Sequence, residues 1–215
     1  VYVFDGWLLI ISVLAALACV ATMVVQIPSP MNGFVNLGDC FVLLSGWLLG
    51  PWWGAAAGGI GSMLADLLLG YGHYAPGTLV IKGLMALVGA LVFKAFGKSS
   101  VGALVSGVIS EIIMVAGYFG YAGLLLGKGI GAAASVPGNL VQGAVGLVAG
   151  FLLLQDIAAV GRDDIGPGCP DHGKVLHDHL AANPKPRGQV LGGNGGIGLV
   201  KQGQDFFPAL CGRHT

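Results

Sequence analysis

The sequence is poor in charge. Only 9% of its 215 residues are Asp, Glu, Lys or Arg, against about a quarter in an ordinary soluble domain. Ten basic and ten acidic residues cancel to a formal net charge of zero. A soluble domain cannot cover its surface with so few charges, and disorder requires low hydrophobicity with high charge. Without a basic excess there is no electrostatic footprint for nucleic acid. Cysteine is scarce as well. The four residues are scattered and support no disulfide framework, and Cys19 and Cys40 read as small apolar packing residues. What is abundant is apolar: 55% of residues are hydrophobic. Glycine occupies 39 of 215 positions, about 18% where roughly 7% is usual. This is the composition of an integral membrane protein.

The few charges are unevenly placed. Residues 1–160 hold nine: Asp5, Asp39, Asp66, Lys82, Lys94, Lys98, Glu111, Lys128 and Asp156. The remaining eleven fall in residues 161–215, a stretch with twelve glycines, five prolines and four of the five histidines. The chain therefore divides into a membrane domain over 1–160 and a Gly/Pro/His-rich tail over 161–215.

A membrane helix needs about 20 mostly apolar residues. Six runs qualify or come close: Trp7 to Ile27, Val35 to Leu49, Trp53 to Leu69, Thr78 to Phe96, Val101 to Leu126, and Ala133 to Ala159. The second and third are short. The first lacks the basic flank of a signal peptide and is expected to remain as a helix. The breaks are Pro28-Ser29-Pro30, Gly50-Pro51, the turn Gly70–Gly77, and Gly97-Lys98-Ser99-Ser100. Spanning strands are not expected, because the runs are long, lack period-2 alternation and are rich in Ala, Leu and Gly. The expected fold is an all-α bundle of six transmembrane helices. Trp7, Trp47, Trp52 and Trp53 lie near run ends and are expected at the membrane interface. Lys94, Lys98 and Arg162 outnumber Lys128, which predicts cytoplasmic termini and a cytoplasmic loop between runs four and five.

In lipid, helices associate through small residues that let backbones approach. Gly54, Gly58, Ser62 and Asp66 recur every four residues in the third run, with Ala57, Gly61 and Ala65 alongside; Gly143, Gly146 and Gly150 form a similar ridge in the sixth. Such ridges serve packing within one bundle or docking of a partner subunit. Asp66, Lys82 and Glu111 lie inside apolar runs, where each costs a few kcal/mol unless paired or hydrated. Either Asp66 and Lys82 form a charge-balanced pair, or the three belong to a ligand pocket. Further polar groups fall at the same, outer, ends of the runs: Asn36, Asp39, Tyr71, His73, Tyr74, Thr78, Tyr118, Asn139 and Gln142. Singly, each is an ordinary capping or interfacial residue. Converging at one end of five segments, they suit a small, flat, polar ligand.

These residues carry a resemblance. Asn36-Leu37-Gly38-Asp39, Leu49-Gly50-Pro51, Gly58-Gly59-Ile60-Gly61-Ser62, Leu64-Ala65-Asp66-Leu67-Leu68, Gly70-Tyr71, Tyr74-Ala75-Pro76, Thr78 and Ile81-Lys82-Gly83 resemble the substrate-binding S components of energy-coupling factor (ECF) vitamin transporters. The riboflavin-type S-component family is the nearest group. The resemblance implies a six-helix protein of the prokaryotic plasma membrane. It would bind a vitamin or precursor, such as riboflavin or hydroxymethylpyrimidine, near the outer face. It further implies a transmembrane T component and two cytoplasmic ATPases as partners, with the S component toppling in the membrane to release its cargo. No cofactor is expected on this chain, and the lack of a G-x-x-x-x-G-K-[ST] loop agrees with ATP hydrolysis on the partners. The expected substrate-binding residues are Asn36, Asp39, Tyr71, Tyr74, Thr78, Lys82, Glu111, Tyr118, Asn139 and Gln142. The family grips its T component through small-xxx-small contacts in the first helix, which here points to Ser12, Ala15, Ala16 and Cys19.

The tail has no counterpart in that family and reads as a disordered or foreign extension; Val1 in place of methionine is expected of a fragment. Cys169-x-x-His172 and Cys211-x-x-His214, with His177 and His179 near, have metal-ligand spacing. Gly193-Asn194-Gly195-Gly196-Ile197-Gly198 matches G-x-G-x-x-G but follows no strand and leaves no room for an acidic ribose contact. Two other functional classes compete with the S component. A self-sufficient facilitator or channel would use the same helices without partners. A membrane enzyme would need a dense Asp/Glu/His cluster or a nucleophile–base pair, and residues 1–160 carry neither.

Overall fold

A computed structural model describes residues 2–24, 27–29 and 33–163. They form six helices: α1 (Tyr2–Val24), α2 (Gly38–Leu49), α3 (Pro51–Leu68), α4 (Ala75–Ala95), α5 (Ser100–Gly120) and α6 (Val136–Asp163). All six expected helical segments are present. The tail residues with metal-ligand spacing, Cys169 to His214, and the glycine motif at 193–198 lie outside the described residues. Three stretches are long and apolar enough to cross a bilayer: Ala75–Ala95, Ser100–Leu125 and Gly129–Ala159.

The boundaries follow local chemistry. Gly50, at φ 81°, ends α2 in a conformation open to glycine, and Pro51 starts α3 where its missing N–H costs nothing. Pro76 does the same for α4, so the expected turn Gly70–Gly77 is shorter than the sequence indicated and the helix opens at Ala75. Ser99 caps α5 by accepting the Gly102 N–H at 3.1 Å. Between α5 and α6 the chain runs through a π-helical turn, Tyr121–Leu125, and a 3-10 segment, Gly129–Ser135. One strand pair was not foreseen. Ile27–Ser29 (β1) pairs antiparallel with Gly33–Val35 (β2), with Pro28 opposite Phe34, in the connection from α1 to α2. It is a loop hairpin and leaves the helical architecture unchanged.

α2 is the centre of the bundle. Ten of its twelve residues are buried, and it touches α1, α3, α4 and α6. This overturns one expectation. Trp47, near the end of α2, is 4% exposed rather than interfacial. Its indole Nε1 donates to Ser106 Oγ at 2.9 Å and its ring stands 6.0 Å from Phe93. A tryptophan near a helix end faces lipid only if the helix itself does. Trp52 and Trp53, on α3, are 77% and 51% exposed; the Trp7 side chain lies outside the described set.

The small-residue ridges are used inside the bundle. On α3, Gly54 lies against the backbone of Ser45 and Gly46, and Gly58 against Val42 and Ser45, all on α2. Gly61 abuts the backbone of Ala15 on α1, and Gly59 abuts Leu79 on α4. Three faces of α3 thus meet three helices. On α6, Gly146 and Gly150 face Asp39 and Cys40 of α2, and Gly143 faces Glu111 of α5. A Cβ at Gly46 would stand 2.5 Å from the Ala86 carbonyl oxygen, whereas one at Gly83 would meet nothing nearer than the Ala55 carbonyl oxygen at 3.6 Å. Overpacking of this kind costs about 1–3 kcal/mol, while Gly→Ala in a roomy helix gains about 0.5–1 kcal/mol. Gly46→Val and Gly61→Val are therefore expected to lower the thermal unfolding midpoint in detergent, and Gly83→Ala to hold or raise it.

Candidate functional site

The N-terminal ends of α2, α4 and α6 and the C-terminal half of α5 bring their polar residues together. Asp39 stands in the first turn of α2 and is fully buried. Lys82, 3% exposed, reaches it from α4 and forms an ion pair with Oδ1. Gln142 of α6 donates from Nε2 to Asp39 Oδ2 at 2.9 Å. Its Oε1 accepts from Asn36 Nδ2 at 3.1 Å and from the Asn36 backbone N–H at 3.3 Å. Asn36 Oδ1 in turn accepts the Gly38 N–H at 2.8 Å, fixing the entry into α2. Both oxygens of Asp39 are thus engaged, and one chain of contacts ties α2, α4, α6 and the loop before α2.

A second chain runs beside it. Tyr118 of α5 donates to Thr78 Oγ1 at 3.0 Å, and Thr78 donates to Asp66 Oδ2 at the end of α3. The Tyr118 ring lies 5.5 Å from Lys82 Nζ, within cation–π range. The alternative of an Asp66–Lys82 ion pair does not hold. Asp66 is satisfied by a hydroxyl, and the lysine pairs with Asp39, 43 positions away in sequence. Periodicity showed Asp39 as a helix opener but could not show that α2 is enclosed on all sides, which is what draws the ammonium to it.

Above these chains lies an aromatic rim. Tyr71 and His73 rings are 6.3 Å apart, His73 and Tyr74 4.7 Å, Tyr74 and Tyr118 6.4 Å, and Tyr74 and Tyr121 6.1 Å. Lys128 donates to the Tyr74 hydroxyl at 2.9 Å and Tyr121 to the His73 carbonyl at 2.8 Å. Sequence reading missed Lys128 and Tyr121, because the irregular turn that positions them has no periodic signature. Asn139 is half-buried on the first turn of α6, close above Gln142.

Glu111 differs from the rest. It is 8% exposed, and its carboxyl group is buried beside that of Asp39 and against Gly143. It lies at a groove of about 530 Å³ between α5 and α6. On α1, Ser12 and Ala16 are exposed, while Ala15 packs on the Leu14–Leu49–Ala57 cluster and Cys19 is half-buried beside Met23.

Removing one member of a buried ion pair costs about 3–5 kcal/mol, because the other charge stays buried. Lys82→Met is expected to destabilise the protein by that amount. Asp39→Leu combined with Lys82→Met is expected to recover most of the loss, with both read by denaturation in detergent. Equal loss in single and double variants would mean that the pair acts only through packing.

Two comparisons bear on this arrangement. The family described as ECF-type riboflavin transporter, S component, matches residues 7–159. A relative from Pyrococcus woesei, described as an uncharacterized protein in gap 3'region, is 41% identical over 133 residues, covering 61% of this chain and 87% of that protein. With the family match extending over more than half of its length, this chain belongs to the ECF-type riboflavin transporter S-component family.

Proposed function

We propose that the chain is the substrate-binding subunit of an ECF transporter, holding a vitamin or vitamin precursor at the outer end of its helix bundle. The observation that carries this is the buried polar assembly of Asn36, Asp39, Lys82, Gln142 and Glu111 inside an otherwise apolar protein of a transporter family. Charged groups at that depth are costly in a bilayer protein, and they persist where they line a path or a binding site. The Tyr71–His73–Tyr74–Tyr118 rim supplies flat apolar surfaces with polar tips, the combination that small-ligand sites use.

In this reading all six helices span a prokaryotic plasma membrane, with both termini and the α4–α5 loop in the cytoplasm. Lys94 and Lys98 flank that loop, in keeping with the excess of basic residues on cytoplasmic sides. A transmembrane T component docks on the small residues of α1, among them the exposed Ser12 and Ala16. Two cytoplasmic ATPases hydrolyse ATP. The S component contributes recognition: it binds the cargo outside and releases it when it tilts with its partners.

The purified chain in detergent is expected to bind one of riboflavin, hydroxymethylpyrimidine, pantothenate or pyridoxine with submicromolar affinity by calorimetry. Absence of such binding across the panel would overturn the reading. Uptake in cells is expected to require the T component and ATPases; uptake without them would identify a self-sufficient facilitator instead.

A further inference from the structure

Four charged side chains are buried among the described residues: Asp39, Asp66, Lys82 and Glu111. Three are acids and one is a base, so the ammonium can balance one acid. Lys82 pairs with Asp39, and Asp66 accepts from Thr78 in the neighbouring chain of contacts. Glu111 is left over. No amide, hydroxyl or ammonium group among the described residues donates to either of its oxygens, and both are sealed from solvent. Its hydrogen-bond partner is the carboxyl group of Asp39. An ionised carboxylate only accepts hydrogen bonds, whereas a protonated one can donate. Two carboxyl groups bonded to each other therefore hold a proton between them.

The backbone of α6 encloses the pair. Gly143 and Gly146 are three residues apart and share one helical face. A Cβ at Gly143 would stand 2.8 Å from Glu111 Oε2, and one at Gly146 would stand 2.6 Å from Asp39 Cβ. The two acids thus lie side by side beneath one turn of α6. The groups that face them come from every neighbouring helix. α4 presents Lys82, paired with Asp39 Oδ1. α2 presents Asp39 itself and the Cys40 thiol, which donates to the Leu37 carbonyl. α6 presents Gln142, which carries no charge and donates to Asp39 Oδ2. On α5, Tyr118 turns to Thr78 and Lys82, and Asp66 of α3 lies beyond Thr78. Two donors hold Asp39 as the anion and none holds Glu111, so the proton belongs to Glu111.

We propose that Asp39 and Glu111 form a buried proton-binding site, in which the Glu111 acid donates to the Asp39 carboxylate and so fastens α5 to α2. With that proton the cluster sums to zero: one anion, one ammonium and one neutral acid. A neutral sum limits the cost of holding these groups inside a bilayer protein. Loss of the proton leaves two carboxylates to share one ammonium beneath α6. The site does not depend on what the chain carries.

Glu111 is the only glutamate in the sequence, so an isotope label can address it alone. The full chain is synthesised cell-free with glutamate labelled in its side-chain carboxyl, purified in detergent, and compared with unlabelled protein by infrared difference spectroscopy at neutral pH. The label is expected to move the carbonyl band of a protonated carboxylic acid. A label that moves only the bands of an ionised carboxylate overturns the proposal. The second measurement is denaturation in detergent against pH. The folded chain keeps a proton that the unfolded chain has lost, so this site's contribution to stability falls as pH rises. The amide of Glu111→Gln donates to Asp39 with no proton to lose. The folded-to-unfolded ratio of Glu111→Gln, relative to the unaltered chain, is expected to grow by up to about tenfold per pH unit through neutral pH. Parallel pH profiles for the two proteins overturn the proposal. If Glu111→Gln does not fold, the labelled spectrum of the unaltered chain decides.

Discussion

The contact between Lys82 and Asp39 organises the polar end of this helix bundle. Two charges in an apolar bundle are tolerable only together, so the α4 lysine and the α2 acid must meet wherever their helices go. Their meeting fixes α2 against α4. Gln142 then reads the second oxygen of Asp39 and brings α6 in, and Asn36 closes the loop above through the same glutamine. The net stabilisation from such a pair is small, because desolvation offsets most of the attraction. Its effect is selective: a packing of helices that separated the two groups would leave a bare charge in each.

Glycine makes this meeting possible. α6 reaches Asp39 because Gly146 presents backbone there, and α3 comes within backbone distance of α2 because Gly54 and Gly58 do. Lipid tails are as apolar as leucine, so burying leucine gives little association between helices; close backbone approach and dispersion do more. Side-chain hydroxyls reinforce these seams by bonding to carbonyls across helices, as Ser45 does to Gly54 and Ser110 to Met85.

Much of this was legible in the sequence, and the reasons differ by feature. The six helices are visible because apolar runs between Gly and Pro breaks are a strong one-dimensional signal. The ridges at Gly54–Ser62 and Gly143–Gly150 are visible because a four-residue repeat stays on one helical face. The convergence of Asn36, Asp39, Thr78, Lys82, Tyr118 and Gln142 follows from alternating helix direction, which places alternate run ends on one side. Pairing was not legible. Whether Lys82 meets Asp66 or Asp39 depends on which helix is central, and Trp47 was misplaced for the same reason. The Lys128–Tyr74 contact depends on a π-helical turn and a 3-10 segment, for which sequence carries no period.

The shortness of α2 has a further consequence. Twelve residues rise only about 18 Å, against the roughly 30 Å of the hydrocarbon core, so the central helix is shorter than its neighbours, and Asp39 stands in its first turn. Lys82 lies seven residues into α4 and Gln142 six into α6, which puts the assembly about 10 Å beneath the N-terminal ends of those helices at 1.5 Å per residue. Mobile ions do not reach charges held at that depth. Debye screening, which weakens exposed pairs at physiological salt, has little hold on them. A molecule recognised on this recessed shelf would therefore be held with nearly the same strength in dilute and in saline surroundings.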